Sequence, residues 1–187
     1  NDADAINSNE TLTTDNKINE NQQVVDNNNT QKTEVENNKT NQEQINVSKS
    51  DEMKKVGMPE NWLTDDVINK ITNEDITKFS NFKDIKNKPD FDSFDDWKKF
   101  VDVGNNISIL RMMNDANMPE NWCKNVDNIK SLSDNLNRFS LIDNYKEFSK
   151  IKNKPEFQDY KVFEENVTFE YISTLQTMNE KCPESWC

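Results

Sequence analysis

The pentapeptide Met-Pro-Glu-Asn-Trp occupies residues 58–62 and returns at residues 118–122, and a related Cys-Pro-Glu-Ser-Trp occupies residues 182–186. One short motif that recurs roughly every 60 residues indicates a tandem structural repeat. The motif therefore limits the architecture of the chain to repeated units. It does not by itself define a biochemical function.

The chemistry of the motif predicts a corner between two helices. Proline fixes φ near −65° and has no N–H, so each proline suits the first position of a helix. The residue before a proline avoids the α region, so the preceding helix should end there. Glu60 and Glu120 then fall in the first turn, where a carboxylate interacts favourably with the helix dipole. The predicted corner residues are Pro59, Pro119 and Pro183.

The tryptophans of the motif, Trp62, Trp122 and Trp186, have two possible roles. Each indole comes one turn after the corner and can pack against the incoming helix, which would make it the pin of the corner. Alternatively, the tryptophans lie on the surface and form, with Glu60 and Glu120, a repeated contact with a ligand. We favour the corner, because tryptophan is highly buried on average.

Apolar residues at helical spacing predict three helices after the first corner. They cover about residues 59–71, 73–86 and 93–117. Lys-Asn-Lys-Pro at 86–89 ends the second helix, since cations suit a helix C-terminus and proline bars extension. Ser93, with an acidic residue three positions later, caps the third helix, and Gly104 is a weak point within it.

The same pattern returns later in the chain. Each member of the set Phe79, Phe82 and Ile85 has an apolar counterpart 66 positions on, at Tyr145, Phe148 and Ile151. We therefore predict an all-α fold with two tandem three-helix repeat units of about 60–66 residues each after a disordered N-terminal arm. The predicted boundaries are 1–52 for the arm, 53–117 and 118–182 for the repeats, and 183–187 for the start of a truncated third repeat or a cap.

The arm is predicted from composition. Residues 1–50 contain no aromatic residue, proline, glycine, methionine or cysteine. Such a segment cannot bury enough apolar surface to offset the loss of chain entropy on folding, so we expect it to be disordered. Its expected role is that of an acidic, Asn-rich tether or spacer.

Composition also excludes several classes of function. The chain has a formal net charge of −12 and no histidine. Nucleic-acid binding needs clustered Lys and Arg, so we expect no direct contact with nucleic acid. Nucleophilic triads need a base such as histidine, zinc sites need Cys and His clusters, and phosphate loops need more than the two glycines present. We predict no enzymatic activity, no metal site and no cofactor.

Two groups of side chains have chemical potential but a simpler structural interpretation. The acidic cluster Asp90, Asp92, Asp95 and Asp96 lacks the glycine turn and terminal Glu of a calcium loop, so we assign it to helix capping and a solvated face. The three cysteines, Cys123, Cys182 and Cys187, are interpreted as free structural thiols. A Cys182–Cys187 bridge is the alternative, and it requires an oxidising compartment.

These observations favour an interaction protein. The leading hypothesis is a non-enzymatic helical-repeat protein that binds another protein, either as a virion or other large-assembly component or as a surface-exported binding module. The alternative is an acidic regulator that occupies a basic nucleic-acid-binding surface of a partner protein. No run approaches 18 apolar residues, so we expect a soluble chain without a transmembrane segment. The oligomeric state and the compartment stay open.

Overall fold

The computed structural model describes the backbone of residues 20–187 and the side chains of residues 33–187. Residues 1–19, the first part of the predicted disordered arm, lie outside the described residues. The chain divides into two units, Asn1–Glu52 and Met53–Cys187. Across the described range the secondary structure is helical without a strand, which confirms the all-α prediction.

The first helix, α1, spans Glu20–Lys55 and includes residues assigned from the sequence to the arm, whose boundary stays a prediction. Residues 33–52 are helical and mostly exposed. The composition of this segment is poor in apolar residues and lacks proline and glycine, so neither of these two residues interrupts the helix. Side-chain contacts one turn apart support it, such as Gln42 Nε2 donating to Asn46 Oδ1 at 2.9 Å.

The second unit holds nine further helices and two 3-10 turns. The turns are Glu60–Trp62 and Glu184–Trp186. In the first half, residues 53–117, the helices are α2 (Asp65–Lys70), α3 (Asn73–Lys83), α4 (Phe94–Asp102) and α5 (Asn106–Asp115). In the second half, residues 118–182, they are α6 (Glu120–Cys123), α7 (Val126–Asp134), α8 (Arg138–Lys150), α9 (Tyr160–Asn166) and α10 (Phe169–Lys181).

Two of the three helices predicted for the first half are each divided. The first becomes a 3-10 turn followed by α2, because Thr64 is extended and its hydroxyl accepts from the Val67 N–H as a new N-cap. The third divides into α4 and α5 at Gly104, which has φ +44°. There the buried Asn106 side chain donates to the Phe100 carbonyl at 2.9 Å and satisfies the end of α4.

Side-chain caps start α3 and α4, and the cap of α4 is the one predicted from the sequence. Thr72 and Asp75 form a capping box at α3, with each side chain accepting from the other residue's backbone N–H. The Ser93 hydroxyl accepts from the Asp96 N–H at 3.1 Å and caps α4. Polar side chains at these positions therefore set where the helices begin.

An asparagine in the last helix of each half holds the Lys-Asn-Lys-Pro loop. Asn114 Nδ2 donates to the Asn87 carbonyl at 2.9 Å, and Asn114 Oδ1 accepts from the Asn87 N–H at 2.9 Å. Asn179 makes the same pair of bonds to Asn153, at 2.8 and 2.9 Å. The loops that precede α4 and α9 are thus fixed in the same way.

One hydrophobic core runs through both halves. It includes Met53 in the last turn of α1 and extends to Leu175 in α10. Between the halves, α5 packs against α6 and α7. No helix within the described residues is long and apolar enough to cross a membrane.

Candidate functional site: the tryptophan corners

The backbone of the first two corners has one shared geometry. Pro59 has φ −53° and ψ 139°, and Pro119 has φ −51° and ψ 142°. Each proline is therefore the N-cap residue, one position earlier than predicted, and Glu60 and Glu120 begin the turn. The proline contributes its carbonyl, which accepts from the tryptophan N–H three positions later, and its missing N–H costs nothing.

The chain reaches each of the first two corners through a residue with positive φ. Gly57 after α1 has φ +80°, and Asn117 after α5 has φ +57°. The following Met58 and Met118 N–H groups then donate back to the Met53 and Met113 carbonyls at 3.0 Å. Both helices end before the methionine, as the proline that follows it predicts.

Trp62 and Trp122 are buried, with 3% and 1% of their surface exposed. The Trp62 Nε1–H donates to the Asp92 carbonyl at 3.1 Å, and the Trp122 Nε1–H donates to the Gln158 carbonyl at 2.9 Å. The asparagine before each tryptophan donates to the same carbonyl, at 2.9 and 3.0 Å. Each corner is thus tied to the loop that precedes α4 or α9.

Aromatic rings surround both indoles. The Trp62 ring lies 5.5 Å from Phe79 and 6.1 Å from Trp97, centroid to centroid. The Trp122 ring lies 5.5 Å from Tyr145 and 5.4 Å from Phe163. Edge-to-face and tilted packing of this kind adds to the stabilisation from burial. Both indoles lie inside the fold, and their role as corner pins stays a prediction that truncation tests.

The two glutamates of the motif lie on the surface. Glu120 Oε1 is 2.6 Å from Lys124 Nζ, one helical turn away. This hydrogen-bonded ion pair lowers the pKa of the Glu120 carboxyl and raises the pKa of the Lys124 ammonium. Glu60 is exposed as well. An exposed pair contributes little to stability, so these carboxylates act mainly through surface charge.

The third corner has the same backbone with an exposed indole. Pro183 has φ −57° and ψ 145°. The Trp186 N–H donates to the Pro183 carbonyl at 3.0 Å, and the Cys187 N–H donates to the Glu184 carbonyl at 3.1 Å. Trp186 has 67% of its surface exposed. Residues 183–187, predicted as the start of a repeat or a cap, are therefore an ordered turn that presents a tryptophan.

A cavity lies beside each buried corner. The second-corner cavity, of about 310 Å³, lies between Trp122, Tyr145 and the loop that contains Lys154 and Phe157. The first-corner cavity, of about 140 Å³, lies between Trp62, Phe79 and the loop that contains Lys88 and Phe91. Aromatic and proline rings line both cavities, with a lysine and a carboxylate at each. Such a lining suits the binding of an apolar group next to a charge.

The thiols and the acidic cluster take structural places. Cys123 is fully buried, and burial raises the pKa of its thiol to about 11, so it is a poor nucleophile at neutral pH. Cys182 and Cys187 are half-buried free thiols, so the alternative bridge is not formed. Asp95 pairs with Lys70 at 2.7 Å. Among the described residues, no group of three or more Cys, Asp or Glu side chains is placed to hold a metal ion.

Sequence reasoning missed one exposed apolar feature, residues 135–139, which comprise the connection from α7 to α8 and the first two residues of α8 and are here named the 135–139 tip. Leu136 is 93% exposed and Phe139 is 54% exposed. The Arg138 guanidinium lies 5.0 Å from the Phe139 ring centroid, and its Nη1 donates to the Asn135 carbonyl at 3.2 Å. The change in spacing between matched residues of the two halves, from 60 positions for Trp62 and Trp122 to 66 for Phe79 and Tyr145, is the signal that marks this insertion.

Comparison with known proteins identifies no relative of this chain: no protein-family model, no curated protein and no solved structure matches it.

Proposed function

We propose that this chain is a non-enzymatic helical-repeat protein that binds another protein, as an interaction module or as a component of a larger assembly. The observation that supports this most directly is the 135–139 tip. Leu136 lies in the connection before α8 and Phe139 lies in the first turn of α8, and both are exposed and outside the core. Loops that are held by a rigid scaffold and carry exposed apolar side chains are typical of binding surfaces.

The corresponding connection in the first half indicates that the fold does not need the tip. There, α2 and α3 are joined by Ile71 and Thr72, with Ile71 buried and Thr72 capping α3. The second half has six more residues between its corner tryptophan and the aromatic residue that matches Phe79, because Tyr145 lies 23 positions after Trp122 whereas Phe79 lies 17 positions after Trp62. The added residues lengthen α7 and form the tip. An insertion that places apolar side chains in solvent is more readily explained by a partner than by stability.

The side chains of the 135–139 tip are of the kinds found at the hot spots of protein interfaces, the few residues that contribute most of the binding energy. Aromatic residues and arginine are enriched at such hot spots. The Arg138 guanidinium over the Phe139 ring is a cation–π contact that holds the ring in place before binding. Two settings fit equally well: a virion or other large-assembly component, and a surface-exported binding module that the polar N-terminal segment holds at a distance.

Affinity capture with the full chain as bait tests this proposal. The wild type is compared with Leu136→Ser/Phe139→Ser and with Val103→Ser, a control that removes an exposed apolar side chain elsewhere. We expect the wild type and the control to capture the same partner even at high salt. The tip variant should not capture that partner. Melting temperatures should agree among the three, since exposed substitutions change stability by about 0.5 kcal/mol or less. Equal capture by the tip variant would refute the role of the tip.

The second candidate is an acidic regulator that covers a basic nucleic-acid-binding surface of a partner. The net charge of −12 and the exposed carboxylates of Asp90, Asp92 and Asp96 favour it. Binding of this kind weakens steeply with salt, because it depends on charge more than on apolar area. Capture that disappears at high salt and with Asp90→Asn/Asp92→Asn, but survives in the tip variant, would select this function.

A further inference from the structure

Trp186 is the one tryptophan of the four that lies in solvent. Trp62, Trp97 and Trp122 are each at most 3% exposed, whereas Trp186 is 67% exposed. Its backbone is nevertheless held in the same turn as Trp62, by bonds from the Trp186 and Cys187 N–H groups. An ordered turn that presents a large aromatic side chain loses little entropy when that side chain is buried by a partner.

A further helical unit of the same kind is a poor match for this corner. Between the halves, α5 packs against α6 and α7, and it carries the buried Ile109 and the partly buried Met112. The matching positions of α10, 65 residues later, hold Thr174 and Thr177, which are both exposed. α10 therefore lacks the apolar face on which such a unit would pack.

The second-corner cavity matches an indole in size and lining. A cavity of roughly 150 Å³ holds a benzene ring. The second-corner cavity, of about 310 Å³, has room for the larger indole, and the first-corner cavity, of about 140 Å³, does not. Tyr145 and Phe157 line it and are partly accessible, so an inserted indole gains aromatic contacts like those of the two buried corners.

Charges at the cavity and around Trp186 are complementary. Lys154 and Glu156 line the cavity. Lys181 and Glu184 precede Trp186, and both are exposed. When Glu184 of the inserted segment lies beside Lys154 of the cavity, these two opposite charges can pair. Lys181 of the same segment can then pair with Glu156 of the cavity. Pairs at the rim of an interface contribute mainly to orientation and to the rate of association.

We propose that Trp186 of one copy of this chain inserts into the second-corner cavity of another copy. The contact joins different surfaces of the two copies, so it is head-to-tail and each copy keeps a free cavity or a free Trp186. One aromatic side chain and two exposed ion pairs make a small interface, so the association is weak and depends on concentration. This inference does not depend on the 135–139 tip.

Sedimentation velocity of the full chain, from about 1 μM to about 1 mM, tests the proposal. We expect the wild type to grow in size with concentration and the Trp186→Ala variant to stay monomeric. Phe169→Ala is the matched control, because Phe169 is an equally exposed aromatic residue, 72% accessible, at the start of α10. It should associate as the wild type does. A wild type that is monomeric throughout, or a Trp186→Ala variant that still associates, would overturn the proposal.

Mixing two variants tests the head-to-tail geometry. Trp186→Ala keeps the cavity, and Gln158→Trp fills it from an exposed position whose backbone carbonyl is retained. Each should be monomeric alone, and together they should form a one-to-one complex and nothing larger. If Gln158→Trp lowers the melting temperature, Lys154→Glu and Glu184→Lys replace it: each alone weakens association, and the double variant restores it. A mixture that stays monomeric, or a double variant that stays weak, would contradict the assigned contact.

Discussion

At the residue scale, the corner tryptophans combine burial with a satisfied hydrogen bond. Trp122 is enclosed by aromatic rings, and its N–H donates to the Gln158 carbonyl. We predict that Trp122→Ala lowers the free energy of unfolding by about 3–5 kcal/mol, the usual range for truncating a buried aromatic residue. Urea denaturation measures this change.

Trp186→Ala is the internal control for that experiment, since its indole is exposed. At protein concentrations where the chain is monomeric, it should leave the free energy of unfolding unchanged within about 0.5 kcal/mol. A Trp122→Ala protein that melts like the wild type and loses only partner binding would show that the corner is a ligand contact and not a pin.

Tyr160 is a buried tyrosine whose hydroxyl has no hydrogen-bond partner. The first half has Phe94 in the matching position, 66 residues earlier. A buried hydroxyl without a partner loses its hydration and gains nothing in return. We predict that Tyr160→Phe raises the free energy of unfolding by about 1 kcal/mol. A decrease of similar size in the free energy of unfolding, measured by thermal and urea denaturation, would mean that the Tyr160 hydroxyl makes a hydrogen bond in solution.

The Cys123 thiol makes the free energy of unfolding depend on pH in the alkaline range. Burial raises the pKa of its thiol from 9.0 to about 11, so the folded protein keeps a proton that the unfolded chain releases first. The stabilisation is complete below about pH 9 and is lost as the pH rises toward 11. We predict a fall of about 2 kcal/mol across that interval beyond the fall seen in Cys123→Ala. Parallel pH profiles for the two proteins would contradict a buried thiol.

Sequence predicts which residues of the corner are apolar, but not what their polar atoms contact. The repeated spacing identifies Trp62 and Trp122. It also places Cys123 at the position that Leu63 has in the first half, which indicates an apolar environment. The acceptors of the two indoles are the main-chain carbonyls of Asp92 and Gln158, 30 and 36 residues away. A backbone carbonyl leaves no signature in the side chains, so these partners appear only in the structure.

At the element scale, the helix ends before the first two corners each depend on one residue with positive φ. Gly57 has φ +80°, and a Cβ there would also meet the Lys83 ammonium. We predict that Gly57→Ala lowers the free energy of unfolding by about 1–2 kcal/mol, the cost of left-handed backbone for a residue with a side chain. Asn117→Gly, at the matching position with φ +57°, should be neutral or slightly stabilising. Thermal denaturation of the two variants checks both signs, and a tolerated Gly57→Ala would refute the αL ending.

The helix count shows where sequence periodicity stops being informative. Apolar spacing continues through residues 59–71 and 93–117, yet the structure divides both stretches. The breaks depend on local hydrogen bonds, such as the Thr64 hydroxyl to the Val67 N–H and the Asn106 amide to the Phe100 carbonyl. A threonine or asparagine within an amphipathic pattern fits a helix interior almost as well as a cap, so the sequence leaves the choice open.

At the scale of the whole molecule, apolar content separates the two units. The second unit, Met53–Cys187, holds every aromatic residue of the chain and one continuous core. That boundary was predictable from composition. The helicity of residues 33–52 was not, because a polar sequence without proline or glycine is compatible with a helix or with disorder. The 135–139 tip was missed for a related reason, since exposed leucine and phenylalanine look like core residues in a sequence.

Hydrogen exchange measured by mass spectrometry tests most directly the claim that both corners hold equivalent parts of one core. Amides of α3 and α4 around Trp62, and of α8 and α9 around Trp122, should exchange slowly and to a similar extent, because both sets surround buried aromatic rings. Amides of residues 33–52 in α1 should exchange much faster, since their side chains are mostly exposed. Protection confined to one half, or residues 33–52 exchanging as slowly as the helices around the corners, would contradict this account.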